Sequence, residues 1–145
     1  MRTKILTSLS ISLLCVLLSS CCACRQGSPV VGNLENAVWR VIEIGGKEFP
    51  KSGISLTFNA QDKTIYGAAP CNNFFAAYTL SKDKKQNINI HNVGASMRMC
   101  PESEMVAETA LTRALTSVVL LKIEGSNLLM VDAQGQLVAI ATCKE

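Results

Sequence analysis

Sulfur supplies most of the reactive side chains in this chain of 145 residues. Cysteines stand at Cys15, Cys21, Cys22, Cys24, Cys71, Cys100 and Cys143, against a single histidine, His91. Thiols bind metal, attack as nucleophiles, exchange disulfides or cross-link a fold, and spacing separates these uses. Zinc sites take about four ligands at close spacing, and residues 36–143 contain no Cys-x-x-Cys pair. A nucleophilic cysteine needs a base beside it. His91 is the one candidate, and it reads as a solvent-facing strand residue. Hydrolysis by paired carboxylates has no clear site, because Glu102, Glu104 and Glu108 fall on a helix with surface roles. No Gly-x-Gly-x-x-Gly or phosphate-cradling loop is present. The residue types therefore imply no metal, no cofactor and no catalytic residue.

The N-terminus sets the redox address. Met1-Arg2-Thr3-Lys4 is basic, and an apolar run interspersed with small hydroxyl residues follows over positions 5–18. That run of about fourteen residues is short for a bilayer, which takes about twenty, and it suits the centre of a secretory signal. It ends in Leu18-Ser19-Ser20-Cys21, which resembles the lipobox of bacterial lipoproteins. On this reading residues 1–20 are a signal peptide, Cys21 is the lipid acceptor, residues 21–35 are a tether and residues 36–145 fold. A plain signal peptide with incidental cysteines and a transmembrane anchor are the competing readings. Cys22 and Cys24 fit the acceptor position less well, because no aliphatic residue stands at the right distance before them. Diacylglycerol together with an N-acyl (palmitate) chain anchors stably, where one chain alone holds marginally. The absence of aspartate after Cys21 leans towards the outer membrane.

Charge excludes one class of partner. With Arg2 and Lys4 removed from the 14 Lys and Arg, 12 stand against 11 Asp and Glu. Such a balance lacks the clustered positive charge of a nucleic-acid surface. Lys82-Asp83-Lys84-Lys85 reads as a solvated hairpin tip. The expected partners are the membrane, through the lipid anchor, and an envelope protein.

An exported domain keeps its disulfides, which favours a bond between Cys71 and Cys100. Closing a loop of about thirty residues stabilises a fold by roughly 3–4 kcal/mol on the chain-entropy model. Two separate buried thiols, or a redox-active pair, are the alternatives. The bond would tie the turn before one strand to the start of a helix, with Asn72 holding that turn. Cys143 is the odd third cysteine of the domain, either free or paired with the tether.

Patterning supplies the elements that would position these groups. Residues 38–44, rich in β-branched side chains, read as a strand ended by Gly45-Gly46, with Trp39 as a core anchor. Residues 54–58 and 63–67 form a hairpin, residues 73–80 another strand, and residues 86–94 a further one with Ile88, Ile90 and Asn92 on one face. Ala107, Ala110, Leu111, Ala114, Leu115 and Val118 make a single apolar stripe on a helix over 102–117, opened by Pro101. Strands over 119–124, 127–131 and 136–142 close the chain, joined by turns at Gly125-Ser126 and at residues 132–135. The class is α+β: a curled, barrel-like antiparallel sheet of about seven or eight short strands packed on one helix.

Taken together these residues resemble the META domain (HslJ-like) family. Trp39, the approach to Gly67, and Cys71-Asn72-x-Phe74-x-x-x-Tyr78 match one segment of its pattern. Ser96-Met97-Arg98-Met99-Cys100-Pro101 matches a second, and Glu108, Leu115 and Ile123-Glu124-Gly125-Ser126-Asn127-Leu128 match the close. The resemblance spans nearly all of residues 36–142. Pro70 and Ala76 replace customary glycines, and Arg98 replaces a customary methionine. The resemblance implies a small envelope domain without established catalytic residues, linked to stress response, secretion or motility. The expectation is a non-enzymatic envelope lipoprotein that acts by binding in envelope maintenance or stress tolerance. The alternatives are a carrier of small apolar ligands inside the curled sheet, or a thiol redox protein using Cys71 and Cys100.

Overall fold

Period-two alternation makes strands the dominant element among the described residues. The computed structural model describes residues 34–35, 37–49, 53–82 and 86–143. The signal segment, Cys21, Cys22, Cys24 and most of the Lys82–Lys85 tip lie outside the described residues. The elements are β1 (Val38–Ile44), β2 (Lys47–Glu48), β3 (Ser55–Asn59), β4 (Thr64–Ala68), β5 (Asn73–Leu80), β6 (Ile88–Ala95), α1 (Glu102–Ser117), β7 (Val118–Glu124), β8 (Asn127–Asp132) and β9 (Leu137–Cys143). β2 is additional to the expected strands. Gly45 and Gly46 hold φ of +57° and +77°, the left-handed pair that folds β2 back on β1 in a tight hairpin.

One antiparallel sheet runs in the order β6-β5-β4-β3-β1-β9-β8-β7, with β2 paired to β1. It curls until its two ends approach. Asn87 bridges Leu120, and the Leu121 N–H donates to the Gln86 carbonyl at 2.8 Å. α1 connects the two edge strands and packs on β6, β1 and β9, so it fills the concave side of a half-barrel. This is the α+β architecture expected from the patterning. The helix begins after Pro101, with Glu102 and Glu104 complementing the positive end of its dipole. It stops where the backbone turns extended at Val118, which opens β7 and does not belong to the helical stripe.

The interior is filled by side chains. Trp39, Tyr78, Phe58, Leu34, Ile54, Leu56, Leu111, Leu115 and Met130 are among those essentially without solvent contact. Phe58 and Tyr78 meet edge to face at 5.6 Å, and the Trp39 indole N–H donates to the Leu34 carbonyl at 3.0 Å. Leu34 and Glu35 thus belong to the packed unit, although the sequence reading placed them in the tether. β6 also departs from its expected alternation. Ile88 and Ile90 point inward, but Asn92 is exposed with φ +55°. The cause is a bulge: Phe75 pairs Gly94 while Ala77 pairs His91, so two residues of β6 face one of β5 and the pleat loses phase.

Two glycines of the sheet give contrasting expectations. A Cβ on Gly67 would lie 2.9 Å from Leu56 Cδ2 and 3.0 Å from Phe74 Cβ, both in the core. A Cβ on Gly94 would lie 2.3 Å from Phe75 Cζ, the far end of a side chain that is 53% exposed and free to swing away. Chemical denaturation should show Gly67→Ala destabilised by about 1–3 kcal/mol through overpacking, and Gly94→Ala changed by less than about 1 kcal/mol.

Candidate functional site

The segment between β4 and β5 collects the chemistry. The Ala69 N–H donates to the Asn72 carbonyl at 3.0 Å, closing a short turn that contains Pro70 and Cys71. Cys71 is disulfide-bonded to Cys100, across a Cα–Cα distance of 6.2 Å and a sequence separation of 29. Cys100 immediately precedes Pro101 at the start of α1, so the bond joins the sheet's turn to the helix entrance, as its sequence position suggested.

A second link, unforeseen in the sequence, runs deeper. Glu108 lies on the buried side of α1, only 5% exposed. Its Oε1 accepts the backbone N–H groups of Cys71 at 2.9 Å and Asn72 at 3.1 Å. Its Oε2 accepts from Asn72 Nδ2 at 2.8 Å. The surface role expected of Glu108 is therefore incorrect. A carboxyl group removed from water needs partners for its lone pairs, and the turn supplies three donors. The periodicity held a clue: Glu108, Leu111 and Leu115 recur at i, i+3 and i+7, which puts the glutamate inside the apolar stripe rather than opposite it.

Asn72 does more than hold its own turn. While Nδ2 donates to Glu108, Oδ1 accepts from Ser96 Oγ at 3.0 Å and from the Arg98 N–H at 2.9 Å. Ser96 Oγ accepts from the Asn73 N–H at 3.1 Å. One amide thus spans the helix on one side and the 96–98 segment on the other. Exchanging its oxygen and nitrogen would set an acceptor against a carboxyl oxygen and a donor against an N–H, so only this orientation satisfies both sides. Among the described residues no buried side-chain nitrogen or oxygen is left unpaired. Chemically the arrangement is a clasp: its sulfurs are bonded to each other and its carboxyl and amide groups are engaged. Cys71 could attack only after reduction of the bond. His91 is exposed on the outer face of β6, and Cys143 on β9 is itself disulfide-bonded.

A smaller polar cluster closes the opposite end of β5. Tyr78 Oη donates to Glu35 Oε1 at 2.7 Å and lies 3.1 Å from the Asn59 carbonyl oxygen. The Lys63 ammonium donates to the same Glu35 oxygen at 2.8 Å and sits 5.6 Å from the centre of the Tyr78 ring. Burial pushes the Glu35 carboxyl up, but the hydrogen bonds from Lys63 and Tyr78 and the lysine charge outweigh it and leave the pKa below the usual 4.5. Burial first, and then the hydrogen bond and charge of Glu35, raise the Tyr78 phenol well above its usual 10.0. Sequence reading missed this cluster because Glu35 and Lys63 are separated by 28 positions and meet only through the sheet.

The META domain model matches residues 32–145. No curated protein matches the sequence. Among solved structures, an NMR structure of a protein from Burkholderia xenovorans superposes with a TM-score of 0.60 at 16% identity, covering 81% of this chain and 88% of that one. A crystal structure of a DUF4847 family protein from Bacteroides vulgatus superposes with a TM-score of 0.56 at 13% identity, covering 75% and 93%. At such identities these two similarities establish the fold.

Denaturation should rank the clasp variants. Glu108→Ala strands three donors and is expected to cost about 3 kcal/mol or more, whereas Glu108→Gln keeps one carbonyl oxygen for the backbone pair and should cost about 1–2 kcal/mol. The Glu35 cluster sets a pH window. A lowered carboxyl pKa adds stability that is present above about pH 4.5 and lost as pH falls through the folded value; a raised phenol pKa adds stability present below about pH 10 and lost as pH rises beyond it. The difference in melting temperature between the parent and Glu35→Gln should therefore be largest between about pH 5 and 9 and shrink at both extremes.

Proposed function

The chain belongs to the META domain family, and from that premise we propose that it is a non-enzymatic, lipid-anchored protein of the cell envelope, acting by binding in envelope maintenance or stress tolerance. The observation that carries the reading is the disulfide between Cys71 and Cys100. Disulfides persist in exported proteins and are rare in the cytosol. This agrees with the signal-like run and the lipobox-like Leu18-Ser19-Ser20-Cys21 at the N-terminus. A doubly or triply acylated Cys21 would hold the domain permanently at a membrane surface, with the outer membrane favoured by the lack of an aspartate after it.

Two features support binding over chemistry. The sulfur, carboxyl and amide groups of the clasp are spent on one another, so the clasp stabilises the fold and leaves the surface to make contacts. The half-barrel is also filled by Trp39, Phe58, Tyr78 and their neighbours, which gives a carrier role for small apolar ligands less support. The redox reading, in which Cys71 and Cys100 cycle between thiol and disulfide, is narrowed to attack at the half-buried Cys100, because Cys71 is 4% exposed and exchange needs an accessible sulfur.

Membrane attachment is the deciding measurement. The native chain should partition with membranes and take up labelled fatty acid. Cys21→Ala should lose the label and leave the lipidated membrane fraction, while Cys22→Ala should keep both. Unchanged partitioning and labelling of Cys21→Ala would sink the anchor assignment.

A further inference from the structure

Methionine is ordinarily a core residue, and in this protein Met130 follows that habit with no solvent exposure. Met97 and Met99 do the opposite: each is 97% exposed, two positions apart on the segment between β6 and α1. That segment is anchored along its length. The Ser96 N–H donates to the Asn73 carbonyl at 2.9 Å, Ser96 Oγ and the Arg98 N–H donate to Asn72 Oδ1, and Cys100 ends it in the disulfide. Two thioethers are thus presented to solvent from a backbone whose position does not depend on them.

We propose that Met97 and Met99 form a surface oxidation site, in which two-electron oxidants of the peroxide class convert both thioethers to sulfoxides while the fold stays intact. In each step the methionine sulfur attacks one oxygen of hydrogen peroxide. The O–O bond breaks, an S–O bond forms, and the second oxygen leaves as water with both peroxide protons. The sulfur is oxidised by two electrons and the peroxide reduced by two. The site is selective for two reasons. All cysteines among the described residues, Cys71, Cys100 and Cys143, are already disulfide-bonded, so methionine holds the oxidisable sulfur there. Of the methionines, Met130 is sealed in the core and Met105 is half-buried on α1. A sulfoxide is polar. At positions 97 and 99 it meets water, and no packed neighbour or hydrogen bond of the clasp has to move. Restoration requires a thiol-dependent methionine sulfoxide reductase for each epimer. The inference stands on exposure and anchoring and is independent of the lipid-anchor reading.

The test is a time course of the mature chain, disulfides intact and any remaining free thiol alkylated beforehand, in excess hydrogen peroxide, followed by intact mass, peptide mapping and thermal melting. The expected result is a gain of about 32 Da, confined to Met97 and Met99. Each should react at least about tenfold faster than Met130, with the melting temperature held within about 1 °C. The double variant Met97→Leu, Met99→Leu should melt like the parent and lose the fast gain. Fast oxidation at neither residue or at only one, equal rates at Met130, or a melting temperature that falls with the first oxygen would each overturn the proposal.

Discussion

Glu108 is a carboxyl group carried into the interior by a helix, and no basic side chain pairs with it among the described residues. Burial of such a group is unfavourable unless its lone pairs are engaged. Here the engagement comes from two consecutive backbone N–H groups and one amide of the turn between β4 and β5. That requirement fixes where the turn can sit relative to α1. It also places Cys71 against the helix entrance, where Cys100 closes the bond. The hydrogen-bonded glutamate and the disulfide therefore act on the same two elements through different physics. The carboxyl group specifies the native contact, and the covalent bond restricts the unfolded chain.

The curl of the sheet follows from the same attachment. α1 leaves one edge strand, β6, and returns to the other, β7, while lying against β1 and β9 near the middle of the sheet. A flat sheet could not meet the helix at its centre and at both edges. The filled concave side and the near-closure between Gln86 and Leu121 satisfy both demands. Asn72 extends this organisation outward. Its oxygen holds the 96–98 segment, so the surface bearing Met97 and Met99 is built on the polar hub that secures the core.

Much of this was readable from residue types and order. The helix limits, the position of Trp39 in the core and the antiparallel hairpins follow from patterning and turn residues, and cysteine placement favoured the pairing of Cys71 with Cys100 over two separate thiols. Asn92 was not readable, because a one-residue bulge opposite Ala76 shifts the phase of β6 without leaving a mark in its alternation. Glu108 was misread because a charged residue on an amphipathic helix ordinarily faces water; its place in the apolar stripe meant burial only once three donors were known to meet it.

By itself, the sequence determined the class of the fold and the family, since these depend on local periodicity and on the order of motifs along the chain; it favoured the cross-link, which the structure made definite. The tertiary structure alone decided which polar groups meet. Glu108 reaches Cys71 and Asn72 across 36 or 37 positions, and Tyr78 reaches Glu35 across 43. Hydrogen bonds act over about 3 Å, and no pattern read along the chain reports which distant residues packing will bring to that distance.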